Sequence, residues 1–135
     1  MPEKISCLSS ILAPVSLGEL IDKITILEIK QLHMTGKKLK NVNKELKLLR
    51  NILQDKNLEI DIDLINSLKE VNNNLWQIED NIRIKERDQK FNKEFIQLAR
   101  SVYKENDKRA SIKKEINQKY NSELIEEKSF SNSII

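Results

Sequence analysis

Cysteine occurs once in this chain, at Cys7, so no internal disulfide is available and the fold has to stand on packing. A reducing cytoplasm is the expected location. Proline is confined to Pro2 and Pro14, and glycine to Gly18 and Gly36. So little turn material excludes folds built from many short strands, and nothing after Pro14 forbids helix. Six aromatic residues supply no stacking platform for bases, and no nucleic-acid reader motif is present. The net charge is only +3, so nucleic acid is not an expected partner despite 19 lysines. His33 is the single histidine and is read as a surface or helix-end residue, which leaves a histidine-based zinc site without its ligands. Glu59, Asp61 and Asp63 alternate, but the glycine and bidentate glutamate of a calcium loop are missing. There is no glycine-rich phosphate loop and no evident thiolate nucleophile. No metal and no other cofactor is therefore expected. No apolar run approaches the ~20 residues of a membrane span, and Ile5–Val15 lacks the basic lead of a secretory leader.

The 135 residues fit one domain. It is read as all-α, an antiparallel bundle of about four helices. Residues 1–15 read as an extended arm, with Ile11, Leu12 and Val15 available to pack on the bundle. Ser16 and Glu19 have the spacing of a capping box, which starts helix one. It runs to about Met34 with Leu17, Leu20, Ile21, Ile24, Leu27 and Leu32 as its stripe, and Glu28 projects into that stripe. Ile26 and Ile29 lie on a second face. Thr35 and Gly36 break the helix. Helix two, about 37–55, carries Leu39, Val42, Leu46, Leu49 and Leu53, with Lys37, Lys40, Lys44 and Lys47 on a solvated face. Asp61 or Asp63 caps helix three, which runs to about Arg87. After a short turn, helix four runs from about Lys93 to Asn121. Residues 122–135 form a tail with a disordered end.

Helices three and four contain polar residues where apolar ones belong. Beside the seam Leu64, Leu68, Val71, Leu75, Ile78 and Ile82 run Asn72, Trp76, Glu79, Arg83 and Glu86 at helical steps. Phe91, Phe95, Ala99 and Val102 lead into Asn106, Arg109 and Lys113, then Ile116 and Tyr120. A buried polar group is costly unless paired, so both rows need a reason. The short turn makes the two helices antiparallel. Counting from it sets Trp76 near Tyr103 and Asn72 near Asn106 and Arg109. Glu79 and Arg83 then fall opposite Ala99 and Phe95. Asn72, Trp76, Arg83, Asn106, Arg109 and Lys113 are the candidate ligand-binding set. The arginine fork and the lysine suit a carboxylate or phosphate, and Trp76 serves as an apolar wall. Glu28 and Glu79 are the catalytic candidates, as acid or base. The same residues also fit a buried network that only fixes helix register.

Three stretches carry a resemblance: Pro14 to Glu28 (PVSLGELIDKITILE), Leu75 to Arg83 (LWQIEDNIR) and Leu98 to Ala110 (LARSVYKENDKRA). With Glu126 to Phe130, they resemble a small bacterial family known only as a domain of unknown function, over about residues 11–130. The resemblance brings no activity, and implies a link to surface-polysaccharide assembly. Asn72, Leu75-Trp76, Glu79-Asp80 and Arg83, with Asn106 and Arg109, are similar to a second uncharacterised helical family. In architecture the chain is similar to the all-α chorismate mutases. Leu20 to Ile24 match their first helix faintly, and Gln31 to Met34 stand where their late arginine belongs.

Three functions follow as expectations. The first is binding of an anionic small molecule or a protein partner through an inter-helix polar pocket. The second is a small enzyme acting on an anionic metabolite. The third is a structural adaptor. Ile26, Ile29 and the long hairpin predict a homodimer.

Overall fold

The computed structural model describes residues 8–129 and contains four helices, with no strand among the described residues. They are α1 (Leu17–His33), α2 (Gly36–Asp55), α3 (Ile62–Arg87) and α4 (Lys93–Lys119). Side-chain pairings fix their directions. Glu28 meets Arg50 and Gln31 meets Asn43, so α2 runs back along α1. Asp22 meets Asn72 and His33 meets Trp76, so α3 runs parallel to α1. Gly18 meets Asn117 and Asp22 meets Arg109, so α4 returns antiparallel.

Helix α1 is the only one whose backbone packs closely against all three others. Its two apolar edges enter two cores. Leu20, Ile24 and Leu27 pack on Val42 and Leu46 of α2. Ile21 packs on Leu64 and Leu68 of α3 and Ile116 of α4. Burial of each such side chain contributes about 1.5–3 kcal/mol. Ile29, assigned from the sequence to a face awaiting a second subunit, is 1% exposed within the chain itself. Leu32, counted in the α1 stripe, is exposed.

The first three N–H groups of α1 have no carbonyl within the helix to bond, and each finds a side-chain acceptor, while Leu20 N makes the first intrahelical bond. Leu17 N donates to Ser122 Oγ at 3.1 Å, Gly18 N to Asn117 Oδ1 at 2.7 Å and Glu19 N to Ser16 Oγ at 3.1 Å. Leu20 N donates to the Ser16 carbonyl. The capping box is thus only half formed: Ser16 caps, while the Glu19 carboxylate reaches Lys113 instead. The arm does not pack as expected either, since Ile11 and Leu12 are 85% and 89% exposed. The disordered end expected of the tail lies outside the described residues.

With so little glycine, the later helices stop on other residues. Asn57, Gln89 and Asn121 take positive φ after α2, α3 and α4. Ser122 N then returns to the Asn117 carbonyl at 2.8 Å, closing a Schellman turn that starts the tail.

Helices α3 and α4 extend past the end of α1. Beyond Trp76, which stacks on His33 at 4.8 Å, the two helices have only each other as helical neighbours among the described residues. Their seam residues Ile78, Ile82, Phe95 and Leu98 are accordingly only half-buried there.

Gly18 sets the approach of α1 to α4. A Cβ at this position would lie 2.5 Å from the Lys113 carbonyl oxygen, a backbone atom, so one of the two helices would have to shift. Alanine's advantage in helices is about 1 kcal/mol. Overpacking outweighs it, and Gly18→Ala is expected to cost about 1–3 kcal/mol, measured by urea denaturation. Stability equal to or above the parent would refute the close approach.

Candidate functional site

The polar residues of α3 and α4 converge on a residue of α1 that the sequence reading did not single out. Asp22 is fully buried. Its Oδ1 accepts from Asn72 Nδ2 at 2.9 Å and from Arg109 Nε at 2.9 Å. Its Oδ2 accepts from Arg109 Nε at 3.1 Å and from Arg109 Nη2. Asn72 Nδ2 also donates to Thr25 Oγ1 at 2.9 Å, and Thr25 Oγ1 donates to the Asp22 carbonyl at 2.7 Å. One carboxylate therefore ties three helices together.

Lys113, one turn after Arg109, extends the cluster. Its ammonium donates to Glu19 at 2.6 Å and to Glu126 of the tail at 2.9 Å, and lies 3.8 Å from Asp22. Beside it, Lys114 holds Glu127 at 3.1 Å. Two consecutive lysines of α4 thus clasp two consecutive glutamates of the tail. The bonds to Asp22 raise the Arg109 pKa against the opposing effect of burial. Burial works to lower the Lys113 pKa, but the bonds to Glu19 and Glu126 outweigh it and the net shift is upward. Lys113 in turn holds the Glu126 carboxyl below the ordinary glutamate value. Arg109, Lys113 and Lys128 face Asp22, Glu19 and Glu126, so the cluster is balanced charge for charge.

Of the residues singled out from sequence, Asn72, Arg109 and Lys113 come together. Asn106 is exposed on the same helix. It lines a groove of about 420 Å³ with Tyr103, Arg109, Lys113 and Lys128. Trp76 is half-buried against His33, eleven residues of α1 beyond Asp22, or about 16 Å along the axis. Glu28 is not an isolated buried charge: it pairs with Arg50 of α2 at 3.2 Å and with Lys69 of α3 at 3.6 Å. Glu79 and Arg83 are exposed on the hairpin extension. Their side chains make no hydrogen bond or ion pair among the described residues. No group of metal-binding side chains occurs among the described residues, and no described helix is long and apolar enough to cross a membrane.

Asp22 and Asn117 are the residues that sequence reasoning missed. The signal for Asp22 was the spacing Gly18, Asp22, Thr25 and Ile29, a continuous helical stripe of small and polar residues ending in isoleucine.

With this geometry in view, comparison with known proteins gives one match. A family model described as "Family of unknown function (DUF6165)" covers residues 12–135. The chain belongs to that family. No curated protein and no solved structure matches it. The matched region takes in α1, α3 and α4 whole, and so every member of the Asp22 cluster.

Two predictions follow from the cluster. Asp22→Asn leaves the half-buried Arg109 charge without its partner. It should cost about 3 kcal/mol in urea denaturation, near the low end for a broken buried pair, since Arg109 retains some water contact. Arg83→Ala should stay within about 0.5 kcal/mol of the parent. Equal effects would contradict the assignment of the two residues. The second concerns acid. Because the folded pKa of Glu126 is lowered, its pairing stabilises fully above the ordinary glutamate pKa and is lost as pH falls through the lower folded value. A carbon-13 titration of the Glu126 carboxyl should have its midpoint below the ordinary value, and Lys113→Met should move it up.

Proposed function

We propose that this protein is a helical binding module for an anionic small molecule, which docks on α4 at the exposed edge of the Asp22 cluster. One observation carries the reading. Arg109 commits Nε and Nη2 to Asp22 and leaves Nη1 without a partner among the described residues, with 29% of its side chain exposed. A guanidinium oriented by a buried carboxylate, with donors to spare, is organised in advance to bind a carboxylate or phosphate. Asn106, Tyr103 and Lys128 line the same groove and supply further polar contacts.

The complete pairing of Asp22, Asn72 and Thr25 inside the chain favours a second reading, an adaptor whose polar rows only fix register. The enzyme reading draws no support from the geometry, because Glu28 is paired elsewhere and Glu79 lies on the hairpin extension. Other parts of the proposal rest on separate grounds. The lone Cys7 supports a cytoplasmic setting. The half-buried seam of the hairpin extension, with Ile84, Phe91 and Ile96 exposed, supports self-association or a protein partner there. A role in surface-polysaccharide assembly rests on the family resemblance alone.

The test is a thermal-shift screen against sugar phosphates, nucleotide sugars, nucleotides and dicarboxylates. A rise in melting temperature is expected for one class. Arg109→Lys should abolish it, keeping the charge for Asp22 but losing the fork, while Arg83→Ala should retain it. No rise across the panel, or a rise that survives Arg109→Lys, would refute the reading and leave the adaptor.

A further inference from the structure

Next to the Arg109 groove, and sharing Lys113 with it, lies a second groove of about 460 Å³ between α4 and the tail. Its lining includes Ser111, Lys113, Lys114 and Asn117 from α4, and Glu126 and Glu127 from the tail. Asn117 is 1% exposed. Its Oδ1 is fixed as the acceptor by the Gly18 N–H at 2.7 Å, so its other terminal atom is an amide donor. That donor, Nδ2, is the one buried side-chain polar atom without a partner among the described residues. A buried donor left unsatisfied costs about 1–3 kcal/mol, so it calls for an acceptor from outside the chain. The two ammoniums in the same groove already hold two carboxylates, one from each tail glutamate. The groove is thus a site for negatively charged oxygen, closed by a piece of the chain that supplies the charge itself.

We propose that this groove binds the phosphate group of a phosphate monoester, with Glu126 and Glu127 standing in for it when it is absent. This deepens the anion-binding reading and rests on it: the phosphate would take Lys113, Lys114 and the Asn117 amide, and the rest of the ligand would extend toward Arg109. The charge count favours phosphate over a single carboxylate. Two glutamates leave and a group of nearly two negative charges enters, so the net charge of the groove, which Asp107 and Lys128 also line with one charge of each sign, is preserved. The groove is also of the size that small-molecule sites usually have. Glu126 and Glu127 can leave because both are substantially exposed and belong to a segment without helix or strand.

The test titrates the full chain with inorganic phosphate and with glucose 1-phosphate, following the Asn117 side-chain amide by NMR. The Glu126→Gln/Glu127→Gln protein should bind both about tenfold more tightly than the parent, two partly exposed ion pairs having been released. The Asn117 amide resonance should shift on binding. Glu79→Gln/Glu86→Gln, with the same net charge change on the hairpin extension, should bind like the parent. Asn117→Asp keeps the acceptor for Gly18 and replaces the donor with a carboxylate. It should abolish binding while leaving the helical circular-dichroism spectrum unchanged. An affinity within twofold of the parent for the tail variant, or an Asn117 amide that stays still, would overturn the proposal. Arg109-dependent binding in the screen would then leave the broader reading standing. Should neither anion bind any of the proteins and the screen also be blank, both would fall. Where Asn117→Asp does not fold, the tail variant and the amide shift decide the matter.

Discussion

The arrangement of α1, α3 and α4 depends on the buried carboxylate of Asp22. It has no water to turn to, so its oxygens must find donors within the chain, and these come from two other helices. Apolar seams tolerate small slides of one helix along another, because leucine packs against isoleucine at many offsets. A carboxylate with directional bonds to Asn72 and Arg109 does not. A shift of α3 by a turn would remove the amide, and a shift of α4 would strand a guanidinium. The cluster therefore selects one alignment among several that the hydrophobic pattern would accept. Such selection is the best-attested role of buried polar groups, whose net contribution to stability is often small.

The contact between α1 and α4 is reinforced at its end by a different kind of bond. The first N–H groups of α1 are satisfied by Ser122 and Asn117, around 100 residues away in sequence. Glycine at position 18 allows the backbones to come close enough for this. Capping, steric fit and the ion-pair cluster lie along one stretch of one interface. The candidate binding surface is thus carried on the part of the molecule with the most independent constraints, as a preorganised site requires.

Much of this was legible in the sequence. The four helices follow from apolar periodicity and from Ser16 and Asp61 at cap positions, and their boundaries fall within a residue or two of those read from the pattern. Asn72, Arg109 and Lys113 stood out because each interrupts an apolar row. Asp22 did not, because next to Lys23 and beside a strong leucine stripe it looks like part of a solvated face. Burial there is decided by how many neighbours α1 has, which no pattern along α1 itself records. Glu28 gives the reverse case, standing among apolar residues yet reached by Arg50 and Lys69 from α2 and α3. Arg83 and Glu79 continue a row that is buried earlier in α3. The row loses its cover where α1 ends, and helix length is a property of the neighbour.

The helix packing is lopsided in one respect. The backbone of α2 lies close only to α1, with Leu53 reaching the second core, whereas α1, α3 and α4 each lie close to two or more partners. Detaching α2 exposes the seam around Leu46 and leaves Asp22, Asn72 and Arg109 still bonded. Removing α1 dismantles both cores together. An opening confined to α2 therefore leaves the other three helices joined through Asp22, whereas any opening that frees α1 breaks those bonds as well. Amides on the inner face of α2 can in this way meet solvent while those beside Asp22 stay covered.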